Sequence, residues 1–300
     1  MNIKQTPIWY GEYKDFIESA IDKYLDTYLA LPMTPPLEAY KDALKYAFHG
    51  WKKLRAILAL EFYLQLSWKN LSDIRFDDDI IRLCIAIESV HAYSLVHDDL
   101  PCMDNDELRR GEPTVWKKYW EYTAVLVWDT LNTLCFENIS DMKHSERSQK
   151  ISKLLAHAVW FYGMIGGQVE DIFYEKNIWD LDVDILRNLH AKKTGKLIEA
   201  SILTGVILSW QTANIDVYWD FGKKLWLAFQ IKDDILDVEG TAEETGKSVG
   251  WEKKGFVYLL WIDASKKILH DLINDCKKIA KSLGSSKIDF IIEYVENRKK

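Results

Sequence analysis

Two short segments gather carboxylates where they are costly. His97-Asp98-Asp99-Leu100-Pro101-Cys102-Met103-Asp104-Asn105-Asp106 closes one apolar run and is followed at once by Arg109-Arg110-Gly111. Asp233-Asp234-Ile235-Leu236-Asp237 lies in another apolar run, where i, i+4 spacing puts Asp233 and Asp237 on one helix face. Acids crowded against apolar sequence repel one another and lose hydration, so they call for cations. Oxygen-only ligands suit Mg²⁺, which keeps part of its water shell and bridges carboxylate to phosphate. A single Asp-Asp pair is ordinarily a helix cap or a solvated face; two such clusters, each on an apolar helix, point instead to a shared metal site. Arg109 and Arg110 follow the first cluster directly, while Lys193 beside Thr194 and Lys247 beside Gly246 stand in turn-like contexts. Metal with arginine and lysine around it is the chemistry of a diphosphate.

The elements that must position these groups read as helices. Apolar residues recur at helical spacing almost throughout, as in Phe16, Ala20, Tyr24 and Leu25, and strand signals are nearly absent. The six prolines all fall at or before residue 113, so nothing interrupts the helical pattern beyond it. Residues 80–96 and 225–236 are apolar on nearly every side and predict central helices; 154–165, 185–208 and 262–279 are amphipathic and predict an outer ring. Pro101 disfavours helix at Leu100, so the first helix should end near Asp99 and a loop should carry Asp104 back toward it. Polar breaks near 140–148, 175–183, 210–216 and 239–255 read as loops. With no linker-like stretch, residues 1–300 are expected to form one all-α domain, a single large bundle of about ten helices.

Composition narrows the function. With 39 Lys+Arg against 46 Asp+Glu the formal charge is -7, which argues against a nucleic-acid partner. The longest unbroken apolar stretches are too short for a membrane span, and the first ten residues carry no apolar secretory core. Cys84, Cys102, Cys135 and Cys276 lie far apart and read as buried free thiols, so the cytoplasm is the expected compartment.

Taken together, these motifs resemble those of the trans-prenyltransferases, the bacterial short-chain polyprenyl (farnesyl or geranylgeranyl) diphosphate synthases. The first aspartate-rich motif with its Arg-Arg-Gly matches Asp98, Asp99, Asp104, Arg109 and Arg110, and the second matches Phe229-Gln230-Ile231-Lys232-Asp233-Asp234-Ile235-Leu236-Asp237. Gly166-Gly167-Gln168, Lys193-Thr194-Gly195 and Gly246-Lys247 match three further family segments, in family order from about His49 onward. The resemblance implies the isoprenoid synthase fold around a central cavity, and a homodimeric enzyme that condenses an allylic diphosphate with isopentenyl diphosphate. It implies that Asp98, Asp99, Asp104, Asp233, Asp234 and Asp237 bind Mg²⁺ on the allylic diphosphate, aided by Arg109, Lys193, Thr194, Gln230 and Lys247. Lys52, Arg55, His91 and Arg110 match the isopentenyl diphosphate site. Tyr93 lies about one and a half turns deeper than Asp98 on the same helix; an aromatic there tends in this family to stop growth at C15, so farnesyl diphosphate is the expected product and geranylgeranyl diphosphate the alternative. The reading of Tyr93 as mere core filler stays open.

The pattern breaks in one respect. The isopentenyl diphosphate loop reads Gly50-Trp51-Lys52-Lys53-Leu54-Arg55-Ala56, with Trp51 where the family has glycine. Trp120, Trp128, Trp160, Trp226 and Trp261 also stand at expected family glycines, as do Trp68, Trp210 and Trp251. Thirteen tryptophans and only 14 glycines in 300 residues invert ordinary usage, in which glycine is about 7%; returning nine would give 23 glycines. Either the core is aromatic-rich, or UGA codons that mean glycine have been read as tryptophan. Among rival functions, a di-iron protein would need paired Glu-x-x-His motifs, and Glu88-x-x-His91 stands alone. Terpene cyclases carry a different second metal motif. A non-catalytic prenyltransferase-like subunit would usually lack one aspartate motif, and both are present here.

Overall fold

A computed structural model describes residues 7–30, 34–50, 52–239 and 255–298. The chain forms two compact units, residues 1–64 with 68–152 and residues 65–67 with 153–300.

In the first unit, α1 (Ile8–Tyr28), α2 (Pro35–Ala47) and α3 (Leu54–Ser67) precede α4 (Asp79–Asp98). Asp78 stands at the N-cap position of α4 with its side chain accepting the Arg75 amide at 2.9 Å rather than a helix amide, and Asp79 in the first turn complements the helix dipole. Asp79 also accepts the Lys143 amide and the His144 imidazole, each at 2.8 Å, which fixes the start of the helix. Its apolar side chains face every direction, so α4 is buried. By length and composition it could cross a membrane, but 72% of that stretch lies inside the protein. A two-residue hairpin, β1 (Leu108–Arg109) with β2 (Glu112–Pro113), leads into α5 (Val115–Tyr119) and α6 (Glu121–Ser140), which packs along α4. The helix α7 (Ser145–Val159) follows.

The second unit contains α8 (Met164–Lys176), α9 (Val183–His190), a π-helical segment (Ala191–Gly195), α10 (Lys196–Ser209) and α11 (Ile215–Glu239). Three more helices complete it: α12 (Phe256–Leu260), α13 (Ile262–Leu283) and α14 (Ser286–Asn297). Asp182 and Ser285 cap α9 and α14 through side-chain oxygens.

The all-α expectation holds, and the described residues hold fourteen α-helical segments, because α5 is severed from α6 at Trp120 and α12 from α13 at Trp261, neither of which is a breaker by residue type. Three sequence expectations need correction. The span 185–208 is not one outer helix: Leu197–Leu208 in α10 is buried at every position. Its amphipathic look came from α9 and from the charges of Lys192, Lys193, Lys196 and Glu199 at one end. Lys193 sits in the π-helical segment rather than a turn. Cys102 is exposed, since it lies in the loop behind Pro101, while the other three thiols are buried.

Candidate active site

The first acidic motif is built by a helix end, a tight loop and a hairpin. The helix α4 stops at Asp98, three residues before Pro101, and the chain folds back so that the Asp104 amide donates to the Asp98 carbonyl at 2.9 Å. At the hairpin tip Arg110 (φ 57) and Gly111 (φ 83) both take positive φ, as a two-residue type I′ connection requires. That tip aims two guanidinium groups inward. Arg109 donates from Nε to Asp99 Oδ1 at 2.7 Å and adds a second bond from its terminal nitrogen, while Arg110 reaches the Gly50 carbonyl at 2.8 Å. Burial pushes the Asp99 carboxyl above its usual range, and Arg109 opposes the shift. Asp98 is partly covered, whereas Asp104 is exposed.

Behind this loop the same unit concentrates positive charge. Arg55 lies 3.3 Å from His91 Nε2, and burial lowers its guanidinium to about 10. The His91 imidazole is held well below its ordinary range, first by burial and then by the cations Arg55, Arg110, Lys53 and Arg109. Glu88 balances Lys53 and Arg55 in part, and Arg109 and Arg110 add further positive charge in the same unit, a field that favours an anion. A pocket of about 220 Å³ opens here, lined among others by Tyr46, His49, Gly50, Asp99, Arg109 and Arg110. Lys52 is exposed, and its carbonyl accepts Tyr10 Oη at 2.8 Å. Tyr93 is buried, on the α4 face that the sequence assigned to a cavity floor.

Two residues of this unit escaped the sequence reading. Lys53 has its ammonium fully enclosed, 2.5 Å from the Phe48 carbonyl and 3.9 Å from Glu88. Glu88, an acid within an apolar run, accepts the Ala56 amide at 3.2 Å and so tethers the first turn of α3, which carries Arg55, to α4. Its isolation in that run was the available signal.

The second motif lies on α11 in the other unit. Asp233 pairs with Arg298 at 2.5 Å; the same guanidinium donates to the Phe229 carbonyl at 2.7 Å and stacks on the Phe229 ring. Arg298, just beyond the last helix, therefore lies on the acidic motif. Asp234 is buried and committed to structure, accepting the Phe256 backbone amide at 2.5 Å and the Gln230 side-chain Nε2 at 3.1 Å. Asp233 and Asp237 are partly exposed on the helix. Lys193 pairs with Asp171 at 2.7 Å, a partner that sequence reasoning missed although it lies three residues beyond Gln168. Thr194 is partly buried beside it, and both polar atoms of the Gln168 side chain are buried with no partner. Lys247, Trp51 and Trp251 lie outside the described residues.

Among the described residues no three carboxylate, imidazole or thiol groups form a ready cage for a metal. The donor set nevertheless suits Mg²⁺: the candidates are all carboxylates, and in each unit the less buried ones, Asp98 and Asp104 in the first and Asp233 and Asp237 in the second, are open enough to meet an ion that keeps waters.

Such a helical scaffold, with one aspartate motif in each unit and a basic pocket beside the first, has clear counterparts. Residues 37–283 match the polyprenyl synthetase family, and the chain belongs to it. It has the isoprenoid synthase fold and is a short-chain prenyltransferase. It is 35% identical over 296 residues to the farnesyl diphosphate synthase of Micrococcus luteus, covering 96% of this chain and 97% of that one. It is 32% identical over 291 residues to geranylgeranyl pyrophosphate synthase 4 of Arabidopsis thaliana, covering 93% and 75%. The geranyltransferase of Helicobacter pylori, solved with magnesium and isoprenyl diphosphate, superimposes with a TM-score of 0.73 at 29% identity, covering 98% of each chain.

Proposed function

We propose that residues 1–300 work as one polyprenyl synthase domain that joins isopentenyl diphosphate to dimethylallyl and geranyl diphosphate, ending at farnesyl diphosphate. The observation that carries this reading is the pocket lined by Asp99, Arg109 and Arg110, with Arg109 held on Asp99 and Arg110 on the Gly50 carbonyl, beside the Asp98–Asp104 loop. Lys52, Arg55, His91 and Arg110 hold the diphosphate of isopentenyl diphosphate. Asp98, Asp99, Asp104, Asp233, Asp234 and Asp237 serve the allylic diphosphate, the partly exposed members as Mg²⁺ ligands and the buried Asp99 and Asp234 by fixing their neighbours. Arg109, Lys193, Thr194, Gln230 and Lys247 bind its oxygens. When bound, Mg²⁺ supplies positive charge that stabilises the leaving diphosphate as the allylic C–O bond breaks. Arg109 and Lys193 keep their charges poised through Asp99 and Asp171, so little reorganisation is needed as negative charge develops. The buried walls near Tyr93 keep water from the allylic cation, which the isopentenyl double bond attacks. The departing diphosphate takes the final proton.

The working form is a homodimer in the cytoplasm. On α6 the side chains of Tyr122, Val125, Leu126 and Phe136 are exposed on one face, an apolar stripe suited to a second copy of this chain. Three buried free thiols suit a reducing compartment. The test is to incubate the protein with Mg²⁺, isopentenyl diphosphate and either allylic starter, then size the products by chromatography. Metal-dependent growth that stops at C15 is expected. Growth to C20 would favour the geranylgeranyl product, and no growth under any condition would reject the enzyme in favour of a silent subunit.

A further inference from the structure

Left-handed backbone is the one place where a glycine announces itself without reference to any relative. Among the described residues seven non-glycine positions have positive φ, and four of them are tryptophans: Trp68, Trp120, Trp210 and Trp261. Tryptophan supplies only 13 of the 300 residues and has no preference for this region, where Asn and Asp are the tolerated side chains. The four fall at helix boundaries of two kinds. Trp68 (φ 57, ψ 37) and Trp210 (φ 66, ψ 1) end α3 and α10 in the same conformation in which Gly284 (φ 68, ψ 24) ends α13, the usual glycine position of a helix C-terminus. Trp120 (φ 78, ψ 154) and Trp261 (φ 67, ψ 156) each join a five-residue helix to a long one, in a region that essentially only glycine occupies.

The exposed three among them bury little indole surface in return. Trp68, Trp120 and Trp261 are 91%, 73% and 72% exposed, and Trp210 is half-exposed. Indoles that belong to the fold look different. Trp116 and Trp219 sit inside α5 and α11, and their N–H groups donate to the Asp106 carbonyl at 2.8 Å and to Glu199 at 2.7 Å. Trp226 joins the first group by another route: its ring is buried against Gly195, and its indole N–H has no partner there.

We propose that the native polypeptide carries glycine at positions 68, 120, 210, 226 and 261, encoded by UGA codons that its source reads as glycine. The tryptophan excess and the glycine deficit then have a single origin, and the helix breaks at 120 and 261 acquire an ordinary cause. The rule is confined to positions whose backbone or surroundings reject an indole, and it leaves Trp116 and Trp219 as genuine tryptophans.

Two experiments test it, neither of which depends on catalysis. In the first, the gene is read and the protein from its own cells is mapped by peptide mass. UGA codons and glycine at the five positions, with UGG codons and tryptophan at 116 and 219, are expected; UGG codons or tryptophan-containing peptides at the five would overturn it. In the second, the tryptophan-bearing chain is compared with a variant combining Trp68→Gly, Trp120→Gly, Trp210→Gly and Trp261→Gly. Relief of four strained residues should raise Tm by roughly 10 °C, whereas Trp116→Gly and Trp219→Gly should each lower it. A combined variant that melts at or below the parent would overturn it.

Discussion

Asp99, Arg109, Arg55 and His91 show how single residues acquire roles from their surroundings. The sequence marked Asp99 and Arg109 by type and spacing and Arg55 and His91 by resemblance alone, yet only the structure shows that Asp99 is spent on Arg109 and that burial holds the His91 imidazole below its ordinary range. The His91 assignment predicts a pH dependence. An unfolded chain binds a proton at this histidine near its ordinary pKa of about 6.5, whereas the folded chain does not until well below it, so stability falls as pH drops from about 7 toward 5. The slope from this group approaches about 1.4 kcal/mol per pH unit. Burial raises the Glu88 and Asp99 carboxyls, which works in the opposite sense, so the comparison must isolate His91. Calorimetric Tm values across this range should show a flatter acid limb for His91→Gln than for the parent, and parallel limbs would refute the assignment. Tyr93, buried on α4, predicts product length: Tyr93→Ala should shift the longest product from C15 to C20 or beyond. An unchanged product distribution would reduce Tyr93 to core filler.

At the level of elements, legibility followed chemistry. Pro101 made the end of α4 and the return of Asp104 predictable, because a ring without a donor leaves the chain little choice. The all-round apolar character of α4 announced its burial for a similar reason. Breaks at Trp68, Trp120 and Trp261 were illegible because the residues there carry no turn signal, whereas the polar run after Trp210 marked that one. The burial of α10 was hidden by charges at its N-terminal end, and the partners Asp171 and Glu88 are long-range contacts that spacing alone does not reveal. The close approach of α8 to the π-helical segment is a strong constraint: a Cβ on Gly167 would stand 2.3 Å from the Lys193 backbone nitrogen. Gly167→Ala should therefore cost about 1 to 3 kcal/mol by overpacking, lowering Tm by roughly 2 to 4 °C per kcal/mol. Gly11→Ala, in open space on α1, should be neutral or stabilising. Thermal melts of the two variants check the contrast, and equal melts would show that the contact gives way freely.

For the molecule as a whole, the family match over residues 37–283 spans both compact units, and each unit carries one aspartate motif. Overall fold and reaction class were legible because they depend on helix periodicity and a few repeated acidic patterns, which survive wide sequence change. The central claim is that the two motifs serve one metal-dependent ionisation. Steady-state turnover with geranyl diphosphate, isopentenyl diphosphate and Mg²⁺ should fall at least about 100-fold in Asp98→Asn and in Asp233→Asn. Residues that act as a unit lose their effect together, so the double variant should be little worse than the worse single one. Turnover near the parent's in either single variant, with folding intact, would contradict the account.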